Sequence, residues 1–226
     1  MELLEVLDNP VWWALSERHR ALAQSTDLAS RYPANVSPFV AMRTLTPEAF
    51  SELLRLVPAG DTVALLSTAP IDVPEPWQTL RSRTIEQMVC SELLDTTTIQ
   101  TPRTLGDSDV PEMLALTAAT EPGPFLPETI RMGHYVGIRS AEGRLAAMAG
   151  ERLSLDRFTE ISAVCTDPDF RGHGYGLALV RYLTDRILRQ GRVAFLHVKN
   201  ENRAKALYER IGFQVRRAMV LTVFAR

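Results

Sequence analysis

Apolar positions along this chain switch repeatedly between helical and strand periods, and the switching predicts an α/β protein. Trp12, Leu15, His19 and Leu22 recur at helical spacing after Pro10. Residues 39–45 read as a strand. Thr46-Pro47-Glu48 reads as a helix start, and residues 50–57 as that helix's apolar face. Residues 62–67 form another apolar strand, after which Pro70, Pro74 and Pro76 exclude both helix and central strand. The stretch 83–94 follows neither period.

From about residue 95 the pattern sharpens. Residues 97–103 read as a strand, and 109–119 as a helix with Pro111 in its first turn. A Pro/Gly-rich loop (121–127) and a short helix (128–132) follow. A hairpin of residues 135–139 and 145–153 turns around Ser140-Ala141-Glu142-Gly143. Strands at 159–166, 193–198 and 220–224 alternate with helices at 177–188 and 202–211. The expected organisation is an N-terminal α/β region, 1–95, and a second unit, 96–226. The first reads equally as a degenerate half of the same fold or as an unrelated cap.

Composition narrows the partners. With 226 residues, 46% apolar and 23% charged, the chain can bury a sizeable core. A net charge of −2 leaves no basic footprint for nucleic acid. Cys90 and Cys165 are too few for a disulfide framework and suit a reducing compartment. No apolar run reaches the roughly eighteen residues of a membrane span, and the acidic start Met-Glu-Leu-Leu-Glu does not resemble a signal peptide. Cytoplasm is the expected location. His19, His134, His173 and His197 show no metal-ligand spacing, so no metal is expected, and each reads as structural or surface. Cys165 reads as a small core residue.

The chemistry is concentrated in Arg171-Gly172-His173-Gly174-Tyr175-Gly176, between an apolar strand and an amphipathic helix. Glycines let backbone approach an anion closely, and a helix N-terminus points positive dipole at it. A pyrophosphate ligand fits; a purely structural tight turn would carry the same residues. No Lys-Ser/Thr follows, which excludes the P-loop, and the glycine spacing differs from the dinucleotide fingerprint. The pattern Arg-x-x-Gly-x-Gly resembles the GNAT N-acetyltransferase superfamily. Its closing segment, Asn-x-x-Ala-x-x-Leu-Tyr then Gly-Phe, is matched by Asn202 through Tyr208, Gly212 and Phe213. Asn202 precedes Tyr208 by six residues rather than the family's seven, a position Glu201 fills.

The resemblance covers about residues 97–226 and implies a mixed, mostly antiparallel sheet with helices on both faces, preceded by a smaller α/β region. It implies acetyl-coenzyme A as donor and a primary amine of a small molecule, amino acid or peptide as acceptor. The C-terminal motif region is also similar to glycine N-acyltransferase relatives, so the acyl group could be larger than acetyl. Arg171, Gly172, His173, Gly174, Tyr175 and Gly176 would hold the pyrophosphate mainly through backbone, with the His173 side chain turned to solvent. Backbone around Val164, Cys165 and Thr166 would hold the thioester and pantetheine arm, where the strand splays from its neighbour; Asn202 would touch coenzyme A. Glu160, eleven residues before Arg171, would be the general base, half-buried and raised in pKa. Glu151 or water is the alternative. On an alternating strand Glu160, Ser162, Val164 and Thr166 share one face, opposite Ile161, Ala163 and Cys165. Tyr208 would be the general acid, although periodicity alone makes it a core tyrosine. Acceptor contacts would come from about residues 119–133 and the N-terminal region, with residues 121–125 a rigid wall. The competing reading is a catalytically silent acyl-coenzyme-A-binding sensor. Oligomeric state stays open, with a homodimer compatible.

Overall fold

The helical repeat near the N-terminus produces α1 (Pro10–Ser16), with proline in its first turn, and a single 3-10 turn at Arg20–Leu22. The computed structural model describes residues 4–94, 102–201 and 204–226. Three short strands follow, β1 (Gln24–Ser25), β2 (Ala29–Arg31) and β3 (Val40–Met42), paired in that order as a small antiparallel sheet. Thr46 then caps α2 (Pro47–Leu56): its hydroxyl accepts from the Ala49 N–H at 3.3 Å. β4 (Thr62–Ser67) and β5 (Gln78–Cys90) complete the first part of the chain.

The second part runs β6 (Arg103–Thr104), α3 (Val110–Thr120), β7 (Tyr135–Arg139), β8 (Leu145–Ser154), β9 (Phe158–Thr166), α4 (Tyr175–Arg189), β10 (Val193–Lys199), α5 (Lys205–Ile211) and β11 (Gln214–Ala225). The strand expected at 97–103 is described only as β6, since residues 97–101 lie outside the described residues. The short helix expected at 128–132 is a 3-10 turn, Thr129–Met132.

Eight strands form one sheet in the order β4-β11-β5-β10-β9-β8-β7-β6, so it draws on both sides of residue 95. Every pairing is antiparallel except β10 with β9. This is the mixed, mostly antiparallel sheet that the motif pattern implied. β5 lies in its middle, where the sequence showed no period. The reason is that polar Glu86 and Gln87 interrupt the apolar residues of this strand, with Gln87 fully buried beside Met88, so no period of two appears.

Helices cover both faces. α4 and α5 bury Leu179, Leu183, Ile187, Tyr208 and Ile211 against Met88, Ile161, Ala194 and Leu196. On the opposite face α3 packs Met113 and Leu116 on Met148 and Cys165, while the N-terminal segment packs Leu7, Val11 and Leu15 around Phe158 and Phe195. Apolar side chains of this size contribute about 1.5–3 kcal/mol each when fully buried, so both layers tie the sheet down.

β9 does not alternate as expected. Ala163 has a positive φ of 52°, and the register with β8 slips there, from Gly150↔Ser162 to Met148↔Cys165. One extra residue at this bulge reverses the alternation after it. Ala163 and Cys165 therefore face α3, while Val164 joins Ile161 on the α4 side.

Candidate active site

The parallel seam between β9 and β10 divides into two halves. Pairing runs through Val193↔Phe158, Ala194↔Thr159 and Phe195↔Glu160 and then stops, although both strands continue, to Thr166 and Lys199. Beyond Glu160 the strands part around a cleft of about 380 Å³. Its walls come from Ile161 to Val164 of β9, Leu196 to Lys199 of β10, Thr120 to Pro122 after α3, Glu201, and Tyr208 of α5. The Tyr208 side chain packs on Phe213 at 6.1 Å between ring centroids, and burial pushes its phenol up to about 12. It therefore stays protonated across the neutral range, as a proton donor must.

Next to the cleft, β9 leads into the glycine turn. Gly172 and Gly174 have φ of 82° and 76°, a region open to glycine without strain, and nothing lies within 4 Å of where a Cβ would stand. From Gly172 to Leu177 no backbone N–H has an acceptor among the described residues; the first helical bond is Ala178 N–H to Gly174 O, at 3.0 Å. Six consecutive free donors at the start of a fifteen-residue helix make an anion nest. Arg171 and His173 are exposed at its rim, and the His173 ring stacks on Tyr175 at 5.5 Å. Thr166 comes within 3.9 Å of the position a Cβ would take on Gly176, joining the strand end to the nest. These residues suit the pyrophosphate of coenzyme A.

The paired half of the seam is built differently. Glu160 is completely buried, not half-buried. Arg152 on β8 grips it with two hydrogen bonds, Nε–Oε2 at 2.8 Å and Nη2–Oε1 at 2.6 Å, and His197 Nδ1 reaches Oε1 at 2.7 Å. Burial alone would raise this carboxyl, but the Arg152 charge and the donors of Arg152 and His197 outweigh it. The pKa falls to about 2, so the expected upward shift is corrected to a downward one.

The network extends across the sheet. Arg216 Nη1 donates to Gln87 Oε1 at 2.8 Å, which fixes the amide. Gln87 Nε2 then donates to Leu7 O at 2.9 Å and to His197 Nε2 at 3.1 Å. With Nε2 accepting from Gln87, the Nδ1–H donates to Glu160. Arg216 closes the row on Asp8 at 2.6 Å. Side chains of β11, β5, β10, β9 and β8 thus form one polar row that meets Leu7 and Asp8.

Among the expected site residues, Val164 and Tyr208 meet in the cleft, and the six from Arg171 to Gly176 meet in the turn. Cys165 and Thr166 are not part of the cleft wall, and the Cys165 thiol is pushed up to about 11 by burial. Asn202 lies outside the described residues. Glu151 is buried on β8, 3.3 Å from Arg186, and is absent from the cleft wall. His197 and Arg152 were missed as site residues. A carboxylate placed in an apolar strand has to be paired, and these are the polar residues interrupting the apolar runs of the two flanking strands. Among the described residues no group of His, Cys, Asp or Glu could hold a metal, and no helix is long and apolar enough to cross a membrane.

Comparison with known proteins adds an independent finding. Residues 135–221 match the family described as FR47-like protein. A solved structure of a GNAT-family protein from Novosphingobium aromaticivorans is 35% identical, with 97% of this chain and 98% of that one covered, at a TM-score of 0.90. A GCN5-related N-acetyltransferase from Kribbella flavida shares the fold at 17% identity and a TM-score of 0.63. Among curated proteins, N-alpha-acetyltransferase RimI of Mycobacterium tuberculosis is 41% identical over 85 residues, 36% of this chain and 52% of RimI. The [ribosomal protein bS18]-alanine N-acetyltransferase of Escherichia coli K12 is 37% identical over 73 residues, 31% of this chain and 49% of that enzyme. The chain spans about half the length of these curated relatives.

Proposed function

Because this chain belongs to the GNAT family, we propose that it transfers an acetyl or other short acyl group from acyl-coenzyme A to a primary amine. The observation carrying this reading is the juxtaposition of an anion nest with a splayed seam whose cleft contains a protonated tyrosine. Acetyl-coenzyme A supplies an activated thioester carbonyl when bound. The nest from Gly172 to Leu177 holds its pyrophosphate through backbone donors. The unpaired edge of β9 beyond Glu160 offers backbone to the pantetheine arm and to the carbonyl oxygen as it becomes negative. Tyr208 gives its proton to the departing thiolate.

Glu160 takes a different part from the one the sequence suggested. A carboxyl near 2 facing an ammonium near 10.4 is mismatched by about eight orders of magnitude, and it is sealed from the cleft. Glu160 instead positions β10: through His197 it fixes where the two strands stop pairing and so where the cleft begins. The acceptor's proton leaves to solvent through the open cleft. Accordingly kcat/KM should rise with pH along the acceptor amine's own ionisation.

Thiol release from acetyl-coenzyme A across an amine panel tests this. Amine-dependent release supports transfer. Tight coenzyme A binding with no release on any amine would leave the acyl-coenzyme-A sensor as the function.

A further inference from the structure

A second cavity, of about 320 Å³, adjoins the cleft. Both are lined by Pro122, His197, Val198 and Lys199, so the two share a wall. Its floor is apolar, with Phe39, Ile85, Leu221 and Val223, and residues 122–124 form a wall. Its charge is one-sided. Arg81, Arg83, Arg152 and Lys199 line it, and among the described residues no carboxylate does.

Arg152 is neutralised by Glu160 behind the wall. Arg81, Arg83 and Lys199 have no hydrogen-bond or ion-pair partner among the described residues. Arg83 is the most constrained of the three, because its Nε is buried with nothing to bond. Burial, and then the Arg81 charge, pull its pKa below the usual guanidinium value, and the smaller influence of Glu201 acts the other way. A buried donor left unpaired is costly, and a guanidinium is shaped to grip a carboxylate with two bonds.

We propose that this cavity binds the acceptor, and that the acceptor is a small primary amine combining an apolar body with a carboxylate held by Arg83 and Arg81. This rests on the acyl-transfer reading above and narrows its substrate class. The amine then lies at the shared wall beside the cleft, and the apolar body lies on Phe39 and Leu221.

The test is equilibrium binding, with coenzyme A present, of N-acetyl-phenylalanine against its amide, which differs only in the charge. The acid should bind about ten-fold or more tightly, as a charged hydrogen bond requires. Arg83→Gln should abolish that gap and leave coenzyme A affinity unchanged. Arg81→Gln provides a second reading should the first variant fold poorly. Equal binding of acid and amide, or a gap surviving both substitutions, overturns the proposal. In turnover, phenylalanine should exceed phenylalaninamide and phenethylamine in kcat/KM. Arg83-dependent binding of the acid without turnover of any amine would remove the transferase reading and keep the carboxylate site. A preference for succinyl- over acetyl-coenzyme A that depends on Arg83, with no acid preference among acceptors, would assign the anion to the acyl group and overturn the acceptor assignment.

Discussion

The two halves of the β9–β10 seam use the same strands for opposite ends. In the paired half, backbone bonds close the seam and a row of buried charges locks it, with Glu160 held by Arg152 and His197. In the parted half, the facing edges of the two strands are unpaired, and the adjoining turn leaves six N–H groups without acceptors among the described residues. Side-chain charge is spent in the closed half on fixing geometry. In the open half backbone polarity is what the proposed reading offers to a ligand. On the proposed reading the residue best suited by type to be a base is structural, and the groups offered to the ligand have no side-chain signature beyond glycine.

Glu160→Gln should break the closed half with the largest effect. It leaves Arg152 buried without its counter-charge, a loss of about 3–5 kcal/mol. At roughly 2–4 °C per kcal/mol for a chain of this size, the melting temperature should fall by about 6–20 °C. Turnover measured well below that temperature should fall less than about ten-fold, since no proton passes through Glu160. A loss of the 10²–10⁴-fold typical of a general base, with unchanged melting, would reverse the assignment.

Acid should weaken the closed half and the N-terminal layer packed beside it. Glu160 titrates near 2 in the folded chain against 4.5 ordinarily, and His19, buried on Tyr32 at 2.8 Å, near 4 against 6.5. Both folded values lie below the unfolded ones, so each contribution is complete above the unfolded value and lost as pH falls. The His19 contribution goes between about 6.5 and 4, and the Glu160 contribution between about 4.5 and 2, each on the order of 3 kcal/mol. Denaturant midpoints across this range should show stability flat above pH 6.5 and falling below it. Unchanged stability down to pH 3 would contradict the buried network.

Tyr208→Phe should do the converse of Glu160→Gln. Its hydroxyl bonds no described residue, so melting should move by about 1 °C or less, whereas kcat should drop about a hundred-fold with little change in coenzyme A affinity. The smallest effect belongs to Gly174→Ala. A side chain at φ 76° costs about 1 kcal/mol of stability, and its methyl group intrudes on the nest, weakening coenzyme A several-fold by titration.

What the sequence disclosed divides along the same line. The nest is a local pattern, because Gly172, Gly174 and the helix start are neighbours in the chain. Tyr208 could be placed by the period of α5. The state of Glu160 was not legible, since Arg152 and His197 lie eight and thirty-seven residues away on flanking strands. Without that register, a carboxylate in an apolar strand reads as desolvated rather than paired. The bulge at Ala163 was equally hidden, because alanine carries no signal for a positive φ, and it reversed the faces assigned to Val164 and Cys165. β5 escaped because Glu86 and Gln87 interrupt its apolar residues, and its Arg81 and Arg83 are the arginines that line the second cavity.

The most direct test of the open half as a coenzyme A site is a thermal-shift titration with coenzyme A against ATP and NAD. At about 100 times its Kd the ligand should add about 2.7 kcal/mol, raising the melting temperature by about 5–10 °C, with no shift from ATP or NAD. No shift with millimolar coenzyme A would mean that the free N–H groups of the glycine turn serve only water, and the transferase reading would be lost.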